Sequence, residues 1–113
     1  MNKEIENILK DFTVDGEKIP CSFIEYKGNK ETYITYHEIS KDISYADDYP
    51  ILINCTYDFD IYSTKDYLNI ENALIKLLLK NDWIWVEDNE DLFETDTRYF
   101  HKTLTFRKEK DYG

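Results

Sequence analysis

The chain has 113 residues, of which 42 % are hydrophobic and 34 % charged, and its formal charge is −10. That hydrophobic share excludes a disordered chain, and the length suits one domain over residues 1–113 with a radius of gyration of about 13 Å. The acidic balance excludes a generic nucleic-acid binder, which needs a basic footprint, and no apolar run approaches the roughly 18 residues of a transmembrane helix.

Met1-Asn2-Lys3-Glu4 leads into no signal-peptide apolar region, so the cytoplasm is the expected compartment. Residues 3–12 read as a short helix with Ile5, Ile8, Leu9 and Phe12 as its apolar stripe. Asp15-Gly16 marks a turn. Pro20–Lys27 and Thr32–Ile39 read as two strands joined at Lys27-Gly28-Asn29-Lys30, the pattern of an antiparallel hairpin. Ser40–Tyr49 reads as a polar loop carrying Asp42, Asp47 and Asp48.

The stretch from Pro50 to Asn81 organises the rest. Ile51, Ile53, Cys55, Tyr57, Phe59 and Ile61 fall at every second position, the period of a strand with one buried face. Ser63 is the predicted N-cap of the helix that follows, with Asp66 three residues on to bond back. Ile70, Ala73, Leu74, Leu77 and Leu78 make its apolar face, and Lys65, Asn69, Asn72, Lys76 and Lys80 its polar one. Asn81-Asp82 is the predicted helix stop, since Asn tolerates the left-handed conformation at a helix end. Trp83–Val86 reads as a short strand and Glu87–Asp96 as an acidic stretch that Leu92 and Phe93 hold to the body. Thr97–Arg107 is the last strand, with Lys102 an odd member of its apolar face. Arg107-Lys108-Glu109-Lys110 reads as a fraying tail.

These elements predict an α+β domain: an antiparallel sheet of four to five strands, two helices packed on one face, order α-β-β-β-α-β-β. The other sheet face carries Thr, Tyr and charged residues, free for solvent or a partner. Ten Tyr suit such a half-wet face. No continuous exposed apolar stripe is evident, which predicts a monomer or a weakly associating species in dilute solution.

No spacing signals catalysis. His37 and His101 lie in predicted strands with no motif linking them to Cys21 or Cys55, which read as buried free thiols. Two His and two Cys match no zinc spacing. Asp88-Asn89-Glu90-Asp91 offers oxygen ligands but lacks the ligand alternation and central Gly of a calcium loop. Asp58 and Asp60 share a strand face, as solvent-facing residues or as partners for basic groups. No enzyme, cofactor or metal is expected.

Glu25-Tyr26-Lys27-Gly28, Tyr33-Ile34-Thr35-Tyr36, Ala46-Asp47-Asp48, Asp60-Ile61-Tyr62-Ser63, Asp66-Tyr67, Glu94-Thr95-Asp96-Thr97 and Tyr99-Phe100-His101 carry a resemblance through their order and spacing. The chain resembles the tail-terminator and tail-completion proteins of long-tailed bacteriophages and prophages, over roughly residues 20 to 108. It departs from them after the helix, where Asn81-Asp82-Trp83 stands in place of a Gly and Phe. The resemblance implies a structural protein at the head-proximal end of the tail tube, built in the host cytoplasm and carried in the virion. It implies a six-fold ring, with the tail tube protein and the head connector as partners. DNA passes through such a ring without being specifically bound, and an acidic subunit avoids holding it. Tyr33, Tyr36, Asp47, Asp48, Asp58, Asp60 and Tyr62 are the candidate assembly-interface residues. The rival reading is a small acidic binding module, an immunity protein or DNA mimic, that sequesters a basic partner through its charge and the Glu87–Asp96 cluster.

Overall fold

The apolar alternation around Tyr57 and Phe59 builds the central strand of the sheet. A computed structural model describes residues 2–89 and 91–111; Met1, Glu90 of the acidic stretch, Tyr112 and Gly113 lie outside it. The elements are α1 (Asn2–Leu9), β1 (Thr13–Val14), β2 (Glu17–Lys18), β3 (Cys21–Phe23), β4 (Tyr33–Ala46), β5 (Tyr49–Ser63), α2 (Leu68–Lys80), β6 (Ile84–Asp88), β7 (Leu92–Glu94) and β8 (Tyr99–Asp111). The chain is α+β. Its main sheet is six-stranded, in the order β3-β4-β5-β8-β6 with β7 also on β8, and β1 and β2 form a separate hairpin turned by Asp15-Gly16.

The sheet is mixed, not antiparallel throughout, and it has more strands than expected. β3 runs parallel to β4, with Cys21 beside Ile34 and Phe23 beside Tyr36. The predicted hairpin at Gly28-Asn29 does not form. Residues 24–32 instead loop back to the start of β3, so the chain re-enters the sheet in the same direction. The Ile34 N–H donates to the Pro20 carbonyl (2.8 Å) and the Ile24 N–H to the Tyr36 carbonyl (2.9 Å). The Tyr26 ring stacks on Tyr33 at 4.5 Å, fastening this loop to the sheet face.

One face of the sheet holds the core. Cross-strand register aligns Tyr36, Phe59 and Leu104, and beside them Ile34 and Ile61. Ile5 and Leu9 of α1 and Ile70, Leu74 and Leu78 of α2 close over these side chains, so both helices cover the same face. Ala73 and Leu77 are only partly buried against this cluster. Trp83 meets Tyr57 and Phe59 edge-on at 5.7 and 5.8 Å.

α2 stops at Asn81-Asp82 as expected but starts later than expected. Ser63 is not an N-cap; it ends β5, fully buried, hydrogen-bonded to Thr32 (3.0 Å). The helix begins at Leu68, whose N–H donates to the Asp66 carboxylate (3.0 Å). At the other end Asp82, not Asn81, takes the left-handed conformation (φ 67°). The N–H groups of Asp82 and Trp83 then reach the carbonyls of Leu79 (3.2 Å) and Leu78 (3.0 Å). This is the Schellman arrangement, and Trp83 packing with Leu78 in the core supplies its usual apolar contact.

The largest departure is at Ser40–Tyr49, which is not a loop. β4 and β5 run 14 and 15 residues to a two-residue turn, Asp47-Asp48, with φ of 50° and 63°. Positive φ at both positions is the hairpin geometry usually made by Asn-Gly, and Asp tolerates it better than most residues do. The last segment of β8 pairs alongside this arm, Lys108 with Cys55 and Asp111 with Leu52, so the predicted fraying tail is a strand. Lys108 fastens it, donating to the Asn81 carbonyl (2.7 Å) at the α2 C-terminus and pairing with Glu4 (2.8 Å). The arm stretches the molecule to 52 × 27 × 24 Å and lifts the radius of gyration to 15.4 Å. Among the described residues no helix is long and apolar enough to cross a membrane.

Candidate functional site

The sheet face away from the helices is polar by register. Its rows are Tyr33, Tyr62 and His101; Thr35, Asp60 and Thr103; His37, Asp58 and Thr105. Four of the candidate interface residues, Tyr33, Asp58, Asp60 and Tyr62, therefore converge. Tyr36 does not join them. It lies one residue out of phase, 4 % exposed in the core against Phe59. Asp47 and Asp48 lie apart from the rest, at the turn of the arm.

Asp60 is the centre of this face. Its Oδ1 accepts from Thr103 (2.6 Å) and meets His101 Nε2 (3.0 Å), while His37 Nδ1 stands 3.7 Å from Oδ2. Burial pushes the Asp60 carboxyl up, but the hydrogen bonds from His101 and Thr103 and the neighbouring imidazoles outweigh it, and the group is held below its usual value. Asp58 accepts from Thr105 (2.6 Å). Tyr26, Tyr33, Tyr62 and His101 form a continuous stack with centroid spacings of 4.5, 5.0 and 4.3 Å. Burial, with Asp60 nearby, pushes the Tyr62 hydroxyl up to about 12, so it remains a neutral donor.

The depressed Asp60 value has a stability consequence with a definite sign. A carboxyl lowered in the folded state stabilises above its unfolded value, and the contribution disappears as pH falls through the folded value. Urea melts from pH 7 down through the carboxylate range should show this loss in the wild type and a flatter profile in Asp60→Asn. At pH 7 the variant should lose about 1–3 kcal/mol, the cost of disturbing a buried, charge-assisted hydrogen-bond set.

Lys102, odd by pattern, is explained on the other face. It points into the helix-covered side, 5 % exposed. There its ammonium meets Asp88 (2.8 Å), Asp91 (3.5 Å) and Glu71 (3.8 Å) and donates to the Asn89 carbonyl. Burial pulls this lysine down, yet the carboxylates prevail and hold it above its usual value. The acidic stretch is therefore folded partly around an internal cation. Asp88 and Asp91, candidate calcium ligands, face an ammonium; Glu90 lies outside the described residues. Among the described residues no three His, Cys, Asp or Glu side chains converge as a metal-binding group.

The thiols and imidazoles are separated by the sheet. His37 and His101 share the polar face with Asp60, whereas the registers of Cys21 with Ile34 and of Cys55 with Lys108 put both thiols on the helix side. Both cysteines are free, and burial pushes the Cys21 thiol up to about 12. A thiol held neutral is a poor nucleophile.

The arm carries what the sequence reading missed. Ile43, Tyr45, Tyr49 and Ile51 flank the Asp47-Asp48 turn at 43 %, 60 %, 62 % and 46 % exposure. These are large apolar side chains left exposed at the end of the arm. The available signal was the spacing of Ile43 and Tyr45, and of Tyr49 and Ile51, each two residues apart.

No protein-family model matches the chain, and no curated protein matches its sequence.

Proposed function

We propose that the chain is a phage or prophage structural protein that caps the head-proximal end of the tail tube and joins it to the head connector, as a hexameric ring. The arm is the observation that carries this reading. A hairpin that projects past the body with exposed Ile43, Tyr45, Tyr49 and Ile51 at its end leaves apolar surface unburied in the monomer. Large apolar side chains left exposed together at one end of a molecule are candidates for an interaction site. On a ring subunit the arm contacts the tube, and the free sheet edges and Tyr-rich face meet neighbouring copies or the connector through heterologous contacts that close. The expected locations are the host cytoplasm during assembly and then the virion tail.

The acidic-module reading is less well supported. Asp88 and Asp91, two of its carboxylates, are engaged by Lys102 and so are not free to mimic a phosphate backbone.

Isolated tail tubes mixed with the purified protein test the proposal. Native mass measurement should show six added chains on each tube, all at one end by electron microscopy, and the capped tubes should stop elongating. Tubes that gain no mass and elongate normally overturn it.

A further inference from the structure

Two unrelated features of the chain meet in one groove on the polar face. The first is Ile24, which holds φ at 63°. A β-branched side chain in the left-handed region is a genuine outlier, and such strain persists where the surrounding fold imposes it, often at ligand clamps. Here it turns Ile24 outward, 62 % exposed, beside Phe23 at 46 %. The second is Asp60. Both hydrogen bonds to its carboxylate end on Oδ1; among the described residues Oδ2 has only His37, at 3.7 Å and beyond hydrogen-bond distance. Asp60 is 8 % exposed as a residue, and Oδ2 is the carboxylate oxygen left without a hydrogen bond.

Phe23, Ile24, Thr35, His37 and Tyr62 line the groove around Asp60, with Glu38 at its edge, and enclose about 460 Å³. The floor is a carboxylate with an unused acceptor, and the walls are apolar or aromatic. That combination selects a cation with an apolar stem and a flat, weakly hydrated head. A guanidinium meets it, because it donates in a fixed plane, stacks on aromatic rings and loses less hydration than an ammonium. A bare divalent ion does not meet it, since no three suitable ligands converge there. The formal charge of −10 favours a basic partner over a second acidic copy.

We infer that this groove binds an arginine side chain of a partner protein, with the guanidinium on Asp60 Oδ2 and the stem against Ile24. His101 and Thr103 act as positioning residues: by occupying Oδ1 they leave Oδ2 to the incoming group. The inference does not depend on the tail reading, because its test uses no tail component.

The test is a nuclear magnetic resonance titration of the whole protein with the blocked peptide Gly-Arg-Gly, and with its lysine and citrulline counterparts. The arginine peptide should give saturable shifts at the His37 and His101 rings and at the Ile24 and Thr35 amides. Asp60→Asn should weaken that binding about tenfold, since the carboxylate supplies the charge-assisted bond. Ile24→Ala removes an exposed apolar wall of the groove, and should weaken it about threefold by lost stem contact; it serves as the reporter where Asp60→Asn unfolds. The inference is overturned by the absence of saturable shifts with the arginine peptide. It is equally overturned where citrulline or lysine binds as tightly as arginine, or where Ile24→Ala binds like the wild type.

Discussion

Leu74→Ala should remove about 2–5 kcal/mol of unfolding free energy, which is a large part of the roughly 5–15 kcal/mol typical of a domain. Leu74 is fully buried where α2 meets the sheet, so its loss leaves a cavity between layers that cannot close without moving a helix. Leu77, one turn position away, is only partly buried, and Leu77→Ala should cost clearly less. Ser63→Ala is a useful comparison. The loss of a helix cap would cost about 1 kcal/mol. Because Ser63 is instead a buried partner of Thr32, its loss strands a hydroxyl and should cost about 1–3 kcal/mol. Urea melts of the three variants check the order. A Leu77→Ala cost equal to that of Leu74→Ala would refute the packing described for α2.

The second large effect is functional and leaves the fold alone. Replacing Ile43, Tyr45 and Tyr49 together by Ser should abolish capping of tail tubes while shifting the melting midpoint little. These side chains are 43 %, 60 % and 62 % exposed at the end of the arm, so the folded monomer gains little from them. An interface that buries them gains much more, since anchors of this type dominate binding. The same variant should suppress any concentration-dependent association seen by light scattering. Charge at the turn is a separate matter. Lys at positions 47 and 48 would strain a backbone with positive φ, so Asp47→Asn with Asp48→Gly is the better way to remove both charges. Normal capping by the stable triple-Ser variant would remove the arm from the mechanism.

The candidate surfaces were legible in the chain to different degrees. Asp58, Asp60 and Tyr62 could be assigned to one face because strand β5 alternates without interruption, and period-2 patterning says which residues travel together. Their partners could not be assigned. That His37 and His101 both face Asp60 depends on the registers of β4 and β8 against β5, and one residue of slip reverses every side chain. Tyr36 shows the same limit. Its run of Tyr, Ile and Thr fits a strand equally well in either phase, and only pairing with Phe59 sends it into the core. Lys102 was visible as an anomaly, but the carboxylates that make its burial tolerable come from two segments distant in the chain, Glu71 of α2 and Asp88 and Asp91 of the acidic stretch.

What the sequence by itself determined was the α+β class, the central strand, the apolar face of α2 and the Asp15-Gly16 turn. Each is a local matter of side-chain period or backbone preference. Strand direction and the length of the arm were decided only in the tertiary structure. β3 runs parallel to β4 because the loop between them is fastened by Tyr26 on Tyr33, and no local signal encodes that contact. Ser40–Tyr49 is polar enough to read as a loop, and it becomes a strand pair because β5 supplies the backbone hydrogen bonds its residues need.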